Sequence, residues 1–159
     1  MNPAASGDRK GIMSVQTLNM PADDDWVPSA EDLPYHRLGG MDAAKALSEA
    51  FYDAMDAHEP ELARLHELDA EGRVNRGTRE RFGLFLAGWL GGPQDYMARH
   101  GHPRLRMRHG HLPVGVAMRD AWLRSMQKAL DARGITGGLR RFLDQRFAQV
   151  ADFLRNVEE

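Results

Sequence analysis

Between Gly91 and Trp122 the chain reads GGPQDYMARHGHPRLRMRHGHLPVGVAMRDAW, and no long helix can run through it. Proline lacks the amide hydrogen that a helix needs and glycine has the largest conformational freedom to lose, and both recur from Gly91 to Gly115. The same stretch holds four of the seven histidines, at His100, His102, His109 and His111, together with a basic run. That is not the composition of a passive linker. A segment both irregular and dense in metal-binding side chains must be built around something that it grips.

The flanking sequence is helical. Ala44, Leu47, Phe51 and Ala54 recur at three- and four-residue intervals after a Gly39-Gly40 turn, which predicts a helix from Met41 that ends at His58, Glu59 and Pro60. Leu62, Leu65, His66 and Leu68 follow in a connector expected to be part helix and part loop. A second helix, Thr78 to Leu90, carries Phe82, Phe85, Leu86, Trp89 and Leu90 on one stripe, with Arg79 and Glu80 leaving it, and Gly91-Gly92-Pro93 stops it through a left-handed cap. Met118, Ala121, Trp122, Ser125, Met126 and Ala129 form a third stripe, ended near Gly134. Leu139, Phe142, Leu143, Phe147, Val150 and Leu154 form a fourth. No segment alternates with a period of two and no internal repeat is present, so the predicted class is all-α, with four main helices and one irregular connector.

At 159 residues the chain is one domain's worth, long enough to enclose a large cofactor. A formal charge of -2, from 21 basic and 23 acidic side chains, gives no bulk attraction to nucleic acid or an anionic membrane. Without cysteine, a disulfide, a thiolate zinc site, a cysteine-held iron–sulfur cluster and a thiolate-ligated haem are all excluded. No apolar run approaches the roughly 20 residues of a membrane span and the first residues lack the apolar core of a secretory signal, so a soluble cytoplasmic protein is expected. Residues 1–33 carry Pro, Gly, Ser and the acidic run Asp23 to Asp25, and are expected to be a mobile N-terminal extension to a domain over 34–159. Trp26 and Val27 could anchor that arm, although its composition favours a frayed terminus.

Two chemistries suit the histidine segment. An extended His-x-His pair turns both rings to one side, so His100 with His102, and His109 with His111, could chelate zinc or copper. That alternative, a non-haem His-rich metal-binding helical protein, lacks an evident carboxylate or third ligand on a neighbouring helix. Haem asks for more: a proximal ligand, a flat apolar slot, a few polar groups and cations for its propionates. His109 could supply the ligand; Phe82, Phe85, Leu86, Val114, Met118 and Trp122 the slot; Tyr52, His66 and Thr78 the polar groups; Arg81, Arg104, Arg106 and Arg108 the cations. Spacing alone does not decide between them, and a cofactor-free helical interaction domain is a third reading.

Taken together, GGP-x-x-Y, HGHPRLRMRH and RDAWL resemble the group II truncated haemoglobins, bacterial 2-on-2 globins, over about Tyr35 to Val157. The resemblance implies a truncated globin fold, a 2-on-2 helical sandwich around haem b (iron protoporphyrin IX). It makes His109 the proximal iron ligand, and Phe51-Tyr52 the family's Phe-Tyr pair whose hydroxyl points at a ligand on the iron. Trp122 matches the Trp that gives the second distal N–H. Arg81 and Arg108 fall on positions that meet the propionates, Val114 on an aliphatic position beside the haem, and Thr78 and Phe82 on the distal helix. His66 falls where relatives carry Phe, Tyr or His, although the segment Glu67 to Gly77 is longer here than the usual connector; it would be a distal donor or a sixth ligand. The implied partners are O₂, CO, NO or peroxide, with a reductase, and the implied activities are oxygen binding with peroxidase or nitric-oxide-detoxifying chemistry. His109→Ala should abolish or alter the Soret band of the haem-loaded protein, read in ferric, reduced and CO-bound spectra.

Overall fold

The structure, a computed structural model, describes residues 25–101 and 115–154. Among them lie seven helices and no strand: α1 (Pro34–Leu38), α2 (Met41–His58), α3 (Pro60–Ala63), α4 (Arg76–Trp89), α5 (Asp95–His100), α6 (Val116–Ala132) and α7 (Gly137–Leu154). The all-α expectation is met, and α2, α4, α6 and α7 are the four helices that the apolar stripes foresaw. The short α5 is as much helix as the described end of the Gly- and Pro-rich segment contains.

Local chemistry accounts for the ends. Pro34 opens α1, where a missing amide hydrogen costs nothing. Helix α4 starts two residues before Thr78, because Asn75 Oδ1 accepts the Thr78 N–H at 2.8 Å and so caps the first turn. Past its other end Gly91 takes φ 102°, the left-handed stop foreseen from the sequence. Gly92 is needed for another reason: a Cβ there would lie 2.3 Å from the Tyr35 ring, which crosses the turn while its N–H bonds the Leu90 carbonyl at 2.9 Å.

Helix α2 is the centre of the packing. It buries Ala44, Leu47, Ser48, Phe51, Tyr52 and Met55, an i, i+3, i+4 series, and makes its most extensive contacts with α4 and α6. The α2–α4 crossing is close because Gly83 lies against Lys45: a Cβ on Gly83 would be 3.3 Å from the Lys45 Cα. Helix α7 packs on α6 and brings Leu143 and Phe147 into the same core.

Two expectations are changed by tertiary packing. Arg79 does not leave the buried face; it is 5% exposed, because carboxylates of α2 surround its guanidinium. Trp26, read with the N-terminal arm, sits in the core at 2% exposure, whereas Val27 is 68% exposed, so the anchor is one ring rather than the pair. The indole meets Phe142 of α7 edge-on at 5.7 Å, donates to Asp32 Oδ2 at 2.8 Å and lies under the Arg37 guanidinium. Removing a buried indole typically costs about 3 kcal/mol or more. Trp26→Ala should therefore lower the denaturation free energy by about that amount, and unfolding in urea followed by circular dichroism will show it.

Candidate functional site

Phe51 of α2 is fully buried and touches three rings from three directions. Tyr52 meets it at 4.8 Å, Phe82 of α4 at 5.1 Å and Trp122 of α6 at 5.1 Å between centroids. Tyr52 and Trp122 also pack edge-on against Phe82, at 5.7 and 6.4 Å. Phe82 stacks along its own helix on Phe85, and Phe85 on Trp89. Phe147 closes the wall from α7 by touching both Trp89 and Trp122, and Tyr96 of α5 adds an edge contact to Phe85. Residues far apart in the chain thus form one aromatic surface across α2, α4 and α6.

This surface carries two polar hydrogens. The Tyr52 ring is buried, and its hydroxyl makes no hydrogen bond to any described residue; the same holds for the Trp122 indole N–H. Burial pushes the Tyr52 pKa well above the ordinary phenol value, with nearby Arg79 and Arg81 pulling only part of the way back. The group is therefore a neutral O–H, a donor, throughout the physiological range.

His66 lies beside Tyr52, with the rings edge-on at 5.7 Å. Its Nδ1 is 3.0 Å from the Leu62 carbonyl oxygen, one turn back. A carbonyl only accepts, so the proton of that bond sits on Nδ1 and the neutral ring carries its lone pair on Nε2. With that bond made, the neutral ring presents Nε2 as an acceptor and the imidazolium presents it as a donor. The connector is long but tied down. Asp69 Oδ1 accepts the N–H groups of Glu71 and Arg73, and Leu68 and Val74 form an isolated bridge.

The remaining candidates divide by position. Thr78 is half-buried in the first turn of α4, and exposed Arg81 folds back to donate to its Oγ1 at 3.3 Å. Phe85 and Met118 are partly exposed on α4 and α6, with Met118 packed on the core. Arg108, His109 and Val114 lie outside the described residues, as do His102, Arg104, Arg106 and His111. His100 closes α5 in helical backbone, its ring tilted 50° against that of Tyr96 at 5.1 Å, so the extended conformation behind the His-x-His chelate does not hold at His100. Among the described residues no three His, Asp or Glu side chains gather as a metal site. Sequence reasoning missed the contributions of Phe147, Trp89 and Tyr96 to the wall; their aromatic character was visible, but not their convergence.

These elements define a helical protein with an aromatic, donor-bearing face, and comparison places it. The chain belongs to the bacterial-like globin family, whose model matches residues 34–156. Within that family it is a group II, 2-on-2 truncated haemoglobin, and the globin family implies haem as the cofactor. It is 33% identical over 126 residues to the group 2 truncated hemoglobin YjbI of Bacillus subtilis (strain 168), covering 79% of this chain and 90% of that protein. Among solved structures, the cold-adapted truncated hemoglobin of the Antarctic marine bacterium Pseudoalteromonas haloplanktis TAC125 superposes with a TM-score of 0.72 at 38% identity, over 79% of this chain and 98% of that one. The truncated oxygen-avid haemoglobin of Bacillus subtilis gives 0.70 at 34%, over 78% and 99%.

The raised Tyr52 pKa has a sign that can be tested. Above about pH 10 the unfolded chain loses the phenol proton while the folded chain keeps it, so stability falls as pH rises from there towards the folded pKa. The slope attributable to this one proton is at most about 1.4 kcal/mol per pH unit. Urea midpoints between pH 9 and 11 should show that component of the decline in the native sequence and its loss in Tyr52→Phe.

Proposed function

We propose that this globin binds O₂ on haem b and releases it slowly, with Tyr52 and Trp122 as the two donors that hold the ligand. The carrying observation is the pair of donor groups, hydroxyl and indole N–H, on one aromatic wall with no described residue taking up either hydrogen. The aromatic face of Phe82, Phe85 and Trp122 suits a flat apolar macrocycle, and donors beside it that no described side chain engages suit a ligand bound at the centre of that macrocycle. Haem, when bound, supplies an iron that holds a diatomic ligand and exchanges electrons with it.

The protein's part is then to position and to donate. His109 is assigned as the proximal ligand, Arg81 and Arg108 as propionate partners, and Val114, Met118 and Phe85 as apolar contacts, all on the family resemblance. His66, with Nδ1–H committed to Leu62, acts as a wall beside Tyr52 in its neutral form. Thr78, in the first turn of α4 and four residues before Phe82, is assigned to the distal helix on the same resemblance. A hydrogen bond to a ligand that accumulates negative charge contributes on the order of 1.5–3 kcal/mol, and each 1.4 kcal/mol is about tenfold in rate or affinity. Two donors therefore favour retention over delivery. The relative from Bacillus subtilis described as oxygen-avid is in keeping with that.

The same donors would polarise peroxide, and bound O₂ could meet nitric oxide, so peroxidase and nitric-oxide-detoxifying activities belong to this proposal, with a reductase to renew the ferrous state. The setting proposed is the cytoplasm. No described helix is long and apolar enough to cross a membrane. Tyr52→Phe and Trp122→Phe should each speed O₂ dissociation by about tenfold, measured by stopped-flow displacement with CO. A fast release in the unaltered protein, unmoved by either substitution, would overturn the donor assignment.

A further inference from the structure

A row of carboxylates on α2 converges on one guanidinium. Arg79 Nη1 donates to Glu49 Oε1 at 3.0 Å and to Asp53 Oδ1 at 2.8 Å, Nη2 donates to Asp56 Oδ2 at 2.6 Å, and Nε donates to the Val74 carbonyl at 2.8 Å. The backbone of Arg79 is held from the same helix, its carbonyl accepting the Ser48 hydroxyl at 2.7 Å. Tyr52 lies one turn after Ser48 and one turn before Asp56, so the α2 residues that grip Arg79 bracket it on both sides. The guanidinium carbon stands 5.9 Å from the centroid of its ring.

We propose that Arg79 is a positioning residue for the Tyr52 hydroxyl: by clamping Glu49, Asp53 and Asp56 it fixes the rotation of α2 against α4 and so the direction in which the Tyr52 O–H meets a ligand. The inference rests on Tyr52 being a distal donor. Its physical basis is leverage. The phenol oxygen is at the far end of a rigid side chain, and a hydrogen bond weakens steeply once its angle departs from linear. A small turn of α2 would therefore spoil the bond while leaving the aromatic packing largely in place.

Arginine suits this task and lysine does not. The planar fork spans three carboxylates and a carbonyl at once, whereas an ammonium is a point charge on a flexible stem. The clamp also reaches the connector, because Asp56 Oδ1 accepts the Val74 N–H at 3.2 Å. Arg73 and Arg76 meet the same carboxylates from the exposed side, Arg73 pairing with Asp53 and Arg76 with Glu49. Those exposed pairs are screened by water and hold position weakly.

The test uses the full-length, haem-loaded protein in five forms besides the native sequence: Arg79→Met, Arg79→Lys, Tyr52→Phe, the double variant Arg79→Met with Tyr52→Phe, and Arg124→Met. The last breaks an exposed bidentate pair from α6 to Glu59 and serves as the stability control. Three readouts are taken: the O₂ dissociation rate, the infrared C–O stretch of the CO complex, and the ¹³Cζ chemical shift of Tyr52 in that diamagnetic complex. Arg79→Met and Arg79→Lys should each speed O₂ release about as much as Tyr52→Phe, shift the C–O stretch in the same direction and move the Tyr52 ¹³Cζ resonance. The double variant should be no more than about twofold faster than Tyr52→Phe alone, and Arg124→Met should move none of the three.

Native values in Arg79→Met while Tyr52→Phe is fast, or a double variant in which the two effects multiply, would overturn the clamp and leave the donor reading standing. Should Arg79→Met fail to fold, Arg79→Lys carries the comparison, because native behaviour there would show that the fork is unnecessary. If Tyr52→Phe itself changes neither rate nor C–O stretch, it is the donor reading that falls. The Tyr52 ¹³Cζ shift still separates the two, since an unmoved resonance in both Arg79 variants counts against the clamp.

Discussion

Burial of one face of α2 between α4 and α6 is the constraint on which the rest depends. That face carries Leu47, Phe51 and Met55, all without exposed surface, and each large apolar side chain removed from water contributes roughly 1.5–3 kcal/mol. Phe51 does more than fill space. Because it touches Tyr52, Phe82 and Trp122 together, it fixes the spacing of rings that originate on three helices. The same rings fill the core and form the aromatic wall, so the two are one object seen from two sides.

The polar side of the α2–α4 contact follows a different logic. A buried guanidinium is tolerated only when most of its hydrogens are placed, and Arg79 meets three carboxylates and a carbonyl. Such clusters contribute little net stability compared with an apolar contact of the same size, while losing one partner is expensive. What a fork of fixed geometry adds is register. The apolar stripe of α2 would accept several small rotations against α4, and the charge cluster favours one of them. The close approach at Gly83 and the capped start of α4 at Asn75 act in the same sense, bringing the guanidinium within reach of the acidic row.

The outer elements are held by comparable devices at lower density. Tyr35 crosses the turn at Gly92, Trp26 reaches from the N-terminal side to Phe142, and His66 is tied by Nδ1 to the turn before it. Tyr35 and Trp26 join short segments to the long helices α4 and α7, and His66 is tied to the short α3. For His66 the directed contact also decides chemistry. By engaging Nδ1–H it leaves the neutral ring an acceptor at Nε2, a property that no reading of residue type could supply.

Much of this was legible in the chain alone. The four long helices, their stops at Pro60 and Gly91, and the Tyr52, Phe82 and Trp122 positions follow from periodicity, turn chemistry and motif, which are local and survive without knowledge of the fold. Arg79, Glu80 and Arg81 are consecutive and all charged, and nothing local says which of them is buried. Only when α4 lies across α2 does Arg79 meet Glu49, Asp53 and Asp56, some 23 to 30 residues earlier, while Glu80 and Arg81 face solvent. Trp26 and Val27 divide in the same way, one ring finding Phe142 and its neighbour finding water. Amphipathic pattern is set by the sequence because water acts on every residue alike; ion-pair partners, ring contacts and the His66 tautomer depend on side chains distant in the chain or on a turn once formed, so only the tertiary structure decided them.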